Sequence, residues 1–532
     1  MNLIGKLRLL YILWEFLGMD WNSVRFRSHL WRRNGFNKKP QAKGKVLVEA
    51  QQVPSNQVAL SIFLPILTKE YESSVTTYRM MEKRKLTKLK QNLRYFFSLL
   101  PRMGSTEFLF VPYIKHLRSE YGAELKNLCL QINSPSSLES FNYKGVPIGD
   151  LIYDRYLNLT QLPTLDFHDP RLVDCIDECI QYFNYWEEYF EQNRITALCV
   201  SHSVYHFAIP VRVAWKFNIN VFQISAEAVF RLTNNSPHDF TTGIEYAQTF
   251  KQLPPNIKKL GKGEAKIRLE SRLKGQISSD MPYMSTSPFQ QSDDNERELI
   301  RKSNKLKVLI ATHDFYDAPH GYGLGFYPDF YVWLERLHEL SKLVNYDWYL
   351  KVHTEAPSRQ ISVISEFVAT HPTFTLLPTE TTHNQLLKQG IDIALTVHGT
   401  IGLEYPALGK AVVNASLNNP HAGYSFSITP ADVAEYERMI LNLQEVQNSI
   451  NMDEIYEFYF MKHIYHLQTW IYRSYPKYLS DMDGYKNSMT SKAFGYFLST
   501  TNKYDRHTLE KVVLRFLKSN DQRISPSHFQ EN

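Results

Sequence analysis

Short apolar runs alternate with helical segments along most of this chain, and that rhythm admits few folds. "KVLVEA" (45–50) reads as a buried strand, "PSNQVALSIFLPILTKEY" (54–71) as a helix interrupted at Pro65, and "SSVTTYRM" (73–80) as a second strand. Together they make one βαβ unit. "ITALCVSH" (195–202), a helix through Val213 to Lys216 and "INVFQIS" (219–225) repeat the pattern, with a largely helical insertion over 82–194 between the two. A fresh series follows with "KVLIATH" (307–313), a helix over 327–343, "DWYLKVH" (347–353), a helix over 357–370, "FTLLP" (374–378), a short helix near 383–388 and "IALTVH" (393–398). Strands alternating with helices in this way are what a parallel sheet covered by helices requires.

The expected class is therefore α/β, with two doubly wound, Rossmann-like halves. The polar stretch over 262–304 separates them, since its core "SSDMPYMSTSPFQQSDDNERE" supports no periodic element. The expected organisation is an amphipathic, basic segment over 1–44, a first Rossmann-like domain over 45–261, a linker over 262–304, a second domain over 305–430, and a helical region over 431–532. At 532 residues with 43% hydrophobic and 14% aromatic content, the chain has ample material for two cores. The net charge of +6 is spread thinly apart from the N-terminus, so the footprint of a nucleic-acid binder is missing.

Cys129, Cys175, Cys179 and Cys199 show no CxxC pairing and read as reduced core thiols, which suits a reducing compartment. Residues 3–21 are apolar nearly all round a helix, broken by Lys6, Arg8 and Glu15, and neither a spanning helix nor a cleavable signal is expected there. Arg25, Arg27, Arg32, Arg33, Lys38, Lys39, Lys43 and Lys45 follow. This combination predicts either a peripheral contact with an anionic membrane through residues 3–45 or a helix packed on the body with a solvated basic linker.

The chemistry concentrates at strand ends. In an open parallel sheet the carboxyl-terminal loops form the binding crevice, and the helix that follows offers free N–H groups. "ALTVHGTIGLEYPALGKAVVNA" (394–415) places His398, Gly399, Thr400 and Gly402 in such a loop, as a diphosphate or phosphodiester would need. Glu404 falls one turn into the next helix and is not spaced as a capping partner of Thr400, so it is free to accept from a ribose diol. A tight turn made by the glycines is the plainer alternative. Two other strand ends favour a site: His313, Asp314, Asp317 and His320 follow one strand, and Lys351, His353 and Glu355 end the next.

These stretches carry a resemblance. "TVHGTIGLEYPALGKAVV", "YLKVHTEAP" and "IATHDFYDAPHG" are similar to the C-terminal domain of the capsule and surface polysaccharide biosynthesis proteins, GT-B glycosyltransferases related to Kdo and sialic acid transferases. "YKGVPIGDLIYDRYL" (143–157) resembles their N-terminal signature, and the resemblance spans about residues 45–430. It implies a metal-independent enzyme that uses a nucleotide-sugar donor, with no separate cofactor and with a glycan or glycolipid acceptor. It matches His353 to the family's histidine–proline motif, and His398 to Thr400 with Glu404 to its phosphate and ribose contacts. Thr354 stands where that motif has proline, so the preference for a CMP-sugar is not carried over. Asp481–Met482–Asp483 reads as a loop turn.

An acceptor hydroxyl must lose a proton, and the candidate bases lie in the first domain. Asp150 and Asp154 share a helix face, with Asp150 also placed as an N-cap after Gly149 and Asp154 the cleaner base. His202 and His206 in "VSHSVYHF", and Glu49 at the end of the first strand, are rivals. The reading is a cytoplasmic glycosyltransferase, peripheral at the inner face of the membrane, that extends a surface glycan. A nucleotide-sugar 2-epimerase and a non-catalytic scaffold of the same fold are the alternatives.

Overall fold

A computed structural model describes residues 20–34, 42–51, 53–80, 98–111, 122–238, 243–277, 284, 286–290, 297–323, 325–354, 356–446, 449–466, 470–472 and 474–530. Its elements in chain order begin with α1 (Trp21–Asn34), β1 (Gly44–Glu49), α2 (Pro54–Glu70), β2 (Ser73–Met80), β3 (Ser105–Val111) and α3 (Gly149–Thr160). β4 (Ile195–Val200), β5 (Asn220–Ile224), β6 (Val229–Leu232) and α4 (Pro255–Leu273) follow. The second half holds β7 (Lys307–Ala311), α5 (Phe330–Ser341), β8 (Asp347–Lys351), β9 (Phe374–Leu376), β10 (Ile393–Thr396), α6 (Ile401–Ala407) and β11 (Ala411–Asn414). The chain closes with helices that include α7 (Met452–Phe460), α8 (Lys492–Thr500) and α9 (Lys503–Lys518).

The first sheet has the order β3-β2-β1-β4-β5-β6, parallel except for the edge strand β6. The second has the order β9-β8-β7-β10-β11 and is parallel throughout. Both therefore reverse direction beside their first strand, between β1 and β4 in one and β7 and β10 in the other. The α/β class with two Rossmann-like sheets, in a GT-B-like arrangement, is as expected.

Several expectations shift. The largely helical insertion over 82–194 also holds a strand that was not foreseen, because "STEFLFV" adds β3 to the sheet edge, register-paired to β2 from Val75 to Met80. β6 and β11 were likewise not foreseen. α2 runs unbroken through Pro65: it is buried on most sides, from Ser55 to Leu67, so packing holds the turn whose hydrogen bond proline removes. α4 continues twelve residues into the segment expected as linker, because its buried positions Gly261, Ala265 and Leu269 pack against α7.

The terminal helices do not stay with the second sheet. α8 and α9 pack on α2 beneath the first sheet, joined by Trp470, Tyr478 and Phe516. α1 lies on α8, with Phe26 stacked on Phe494 at 4.6 Å. Trp21–Asn34 is thus a packed helix where a solvated basic linker was expected, whereas residues 3–19, expected as the packed helix or the membrane contact, and residues 35–41 lie outside the described residues. Lys43 and Lys45 pair with Glu72 and Glu107. Among the described residues no helix is long and apolar enough to cross a membrane. Cys175, Cys179 and Cys199 are buried and free, and burial pushes the Cys175 thiol up to about 12.

Candidate functional site

The carboxyl ends of β7, β8 and β10 line a cavity that opens to solvent. His313, Lys351, His353, Gly399, Thr400 and Glu404 line it, so six of the eight expected donor-site residues converge. Lys351 dominates its chemistry. The side chain ends β8, is buried, and its Nζ has no hydrogen-bond partner. Burial lowers its pKa to about 8, with Glu380 opposing weakly. An ammonium held dry without a counter-charge is costly unless an anion completes it.

The opposite wall is the start of α6. The first amides of any helix, here Thr400 and Ile401, have no intrahelical acceptor. Glu404 stands one turn in and is buried, but it is not free for a ribose: Arg272 of α4 donates to its Oε1 from Nε at 2.9 Å and also from Nη2. Arg272 was not foreseen from the sequence, because nothing in "AKIRLESRL" distinguishes it from the other basic residues of that helix. His383 also lines the cavity and donates or accepts at Tyr405 Oη, 3.0 Å away. It follows β9 as the other candidates follow their strands, and that position was the available signal.

His313 plays a holding part. Its Nε2 accepts from the Val397 amide at 3.2 Å and meets Thr396 Oγ1 at 3.0 Å, which fixes the β10 loop. Burial lowers its pKa to about 4, so it is neutral and able to accept. Two expected donor-site residues turn elsewhere. His398 lies outside this cavity, its ring tilted between those of His313 and Tyr322 at 4.5 and 4.4 Å, and lines a second, smaller cavity with His320, Asp329 and Trp333. Gly402 faces the chain itself, since a Cβ there would stand 2.6 Å from His421 Nδ1. Gly399 likewise makes room for Thr396 Oγ1.

The expected bases also separate. Asp150 is not the N-cap of α3; that position is Ile148, and Asp150 pairs with Arg212 at 2.5 Å. Asp154 is buried, with its Oδ1 2.6 Å from His320 Nδ1, so it ties α3 to the loop after β7 instead of facing a cleft. Burial works against the His320 imidazolium, yet the Asp154 carboxylate outweighs it and holds the pKa up at about 9. Tyr153 donates to Asp329 at 2.7 Å, and Thr164 to the same oxygen at 2.6 Å. Helix α3 is thus a clasp between the two halves. His206 is buried and its pKa is pushed well down by burial, and Glu355 lies outside the described residues.

Glu49 and His202 do come together, where β1 and β4 adjoin. Ser201 Oγ donates to Glu49 Oε2 at 2.6 Å, and the Ser201 amide donates to the same oxygen at 2.6 Å. Because that hydroxyl is spent as a donor, its 2.7 Å contact with His202 Nδ1 is a bond it accepts. Nε2 is then the basic nitrogen of an exposed imidazole. Three residues on, Tyr205 donates to Asp317 at 3.0 Å, joining the loop after β4 to the loop after β7. The carboxyl edges of the two sheets face one another across that contact.

No family model matches the chain, and no curated protein does. Among solved structures it is similar to the UDP-GlcNAc 2-epimerase of Neisseria meningitidis at 12% identity, over 77% of this chain and 97% of that one, with a TM-score of 0.21. A glycosyltransferase from Rickettsia africae aligns at 9% identity over 87% and 100% of the two chains, with a TM-score of 0.25. MurG of Acinetobacter baumannii aligns at 11% over 80% and 95%, with a TM-score of 0.23. Likeness this slight carries no residue's role from those proteins to this chain.

Proposed function

We propose that the chain is a glycosyltransferase that holds a nucleotide-sugar donor in the cavity around Lys351 and passes the sugar to a glycan or glycolipid docked against the first sheet. The observation that carries this reading is the buried, unpartnered Lys351 ammonium beside the open amides of α6, a place made for a diphosphate. His202 is the proposed base. Its Nε2 takes the proton of the acceptor hydroxyl, the acceptor oxygen bonds to the anomeric carbon, and the bond from that carbon to the phosphate oxygen breaks. The nucleoside diphosphate leaves with the electron pair, its charge met by Lys351. Ser201 and Glu49 hold His202 in the tautomer this step needs. The surface glycan as product, the inner face of the membrane as place of work and contact through residues 3–45 belong to the same proposal.

Incubation with labelled UDP-, GDP-, CDP- and CMP-sugars tests it. Transfer to an acceptor supports the proposal, conversion of the free donor points to a 2-epimerase, and binding without turnover to a scaffold. A nucleotide at 100 times its Kd should stabilise the chain by about 2.7 kcal/mol in a thermal melt. Stabilisation by none of the nucleotides would overturn the donor site. His202→Gln should lower transfer by about 10²- to 10⁴-fold at unchanged donor affinity.

A further inference from the structure

Helix α4 has two faces with different tasks. One face, through Gly261, Ala265, Leu269 and Arg272, is buried against α7 and reaches the candidate cavity. On the other, Leu260 is 71% exposed and Ile267 66% exposed, with Ile257 also open. Leu260 and Ile267 lie two turns apart and so share one outward strip. Lys259 and Lys266 precede them by one residue each and are exposed, which sets a basic strip alongside the apolar one. Exposed Lys251 and Lys274 extend it at either end.

From Pro255 to Lys274 the basic residues are Lys258, Lys259, Lys262, Lys266, Arg268, Arg272 and Lys274, against only Glu264 and Glu270. Arg268 already pairs with Glu264, Lys262 with Asp453 and the buried Arg272 with Glu404, so the excess on the open side rests on Lys258, Lys259, Lys266 and Lys274. Single exposed aliphatic side chains are ordinary on a protein surface, but two at a two-turn spacing with lysines beside them suit a helix lying in a bilayer interface. We propose that this face of α4 docks on an anionic lipid bilayer. The aliphatic pair enters the headgroup boundary and the lysines meet lipid phosphates. The positive excess favours a lipid surface over an apolar protein groove, which would leave those lysines without partners. Since α4 also carries Arg272 to Glu404, docking would set the cavity at a fixed height over the membrane. The inference stands apart from the transfer reaction, and so does its test.

The full chain is mixed with vesicles of phosphatidylcholine alone or with phosphatidylglycerol added, and the bound fraction is read by sedimentation. Binding is expected only to the anionic vesicles and should fall as salt rises. Lys259→Gln and Lys266→Gln should each weaken it about fivefold, and Leu260→Ser with Ile267→Ser about tenfold or more. These positions are exposed, and an unchanged far-ultraviolet spectrum and melting temperature confirm that the variants fold. The proposal is overturned if the full chain ignores anionic vesicles, or if the variants bind them as the parent does. It is equally overturned if the variants alter only the mass in light scattering, which would make the face a protein contact, or if deleting residues 1–19 abolishes all vesicle binding while α4 is intact.

Discussion

Replacing Lys351 by methionine should make the empty protein more stable and the nucleotide weaker, a pairing few substitutions produce. The pKa falls from 10.5 to about 8 on folding, a drop of about 2.5, because burial disfavours the charged form. At 1.36 kcal/mol per unit this is about 3 kcal/mol of penalty carried at neutral pH. The sign follows from linkage. A lysine whose folded pKa is depressed lowers stability below that pKa, and the stability returns as pH rises from about 8 to 10.5, where only the unfolded chain still binds the proton. Methionine keeps the stem's volume and removes the charge, so Lys351→Met should gain up to about 3 kcal/mol at pH 7 and lose the alkaline recovery. The same change deletes a charge-assisted bond to the diphosphate, about 1.5–3 kcal/mol, or roughly 10- to 150-fold in Kd. Denaturant melts at pH 7 and pH 10, with calorimetry against UDP, GDP, CDP and CMP, read both effects. Should Lys351→Met destabilise at pH 7 and bind its nucleotide as well as the parent, the ammonium has a partner and the cavity is not an anion site.

The Asp154–His320 clasp gives an opposite pH trend: the His320 pKa is raised to about 9, so its contribution is complete below about 6.5 and fades as pH climbs through 9. His320→Gln should abolish that alkaline loss, and titrating it in the Lys351→Met background keeps the two trends apart. Asp154→Ala, which strands the buried imidazolium, should cost about 3–5 kcal/mol in a denaturant melt. Glu404→Ala removes the buried carboxylate that the Arg272 guanidinium pairs with, so it should destabilise the fold by about 3–5 kcal/mol besides any loss of nucleotide, a result that unchanged melting would refute. Gly402→Ala should cost about 1–3 kcal/mol through its collision with the His421 ring, and a neutral melt would show that the ring can yield.

The sheets were legible because largely apolar runs such as "KVLVEA" and "IALTV" alternate with helices, the pattern of a sheet covered on both faces. What escaped were the edges. β3 and β6 lie at the ends of the first sheet and β11 at the end of the second, where one flank is unpaired and the sequence need not be apolar on every residue. "STEFLFV" opens on three polar residues, and its burial is correspondingly incomplete. Helix α4 escaped for a different reason. Its buried face is made by Gly261 and Ala265, which read as breakers or spacers until Phe460 is seen packed against the bare glycine.

The site was legible as a set of places and much less so as a set of roles. A histidine, lysine or glutamate just past a buried strand must lie at the carboxyl edge, so Lys351, His353 and Thr400 could be gathered into one crevice from local pattern alone. Whether such a group is spare depends on what a distant segment brings to it. Glu404 meets an arginine 132 positions away, and Asp154 a histidine 166 positions away. Nothing within a helical turn of either carboxylate announces those partners, so both looked available for chemistry. Glu49 and His202 show the converse: two unremarkable strand ends gained meaning because β1 and β4 are neighbours in the sheet, with Ser201 between them. Strand order, which follows from packing across more than a hundred residues, is what turns a spent carboxylate into a clasp and makes an exposed imidazole a candidate base.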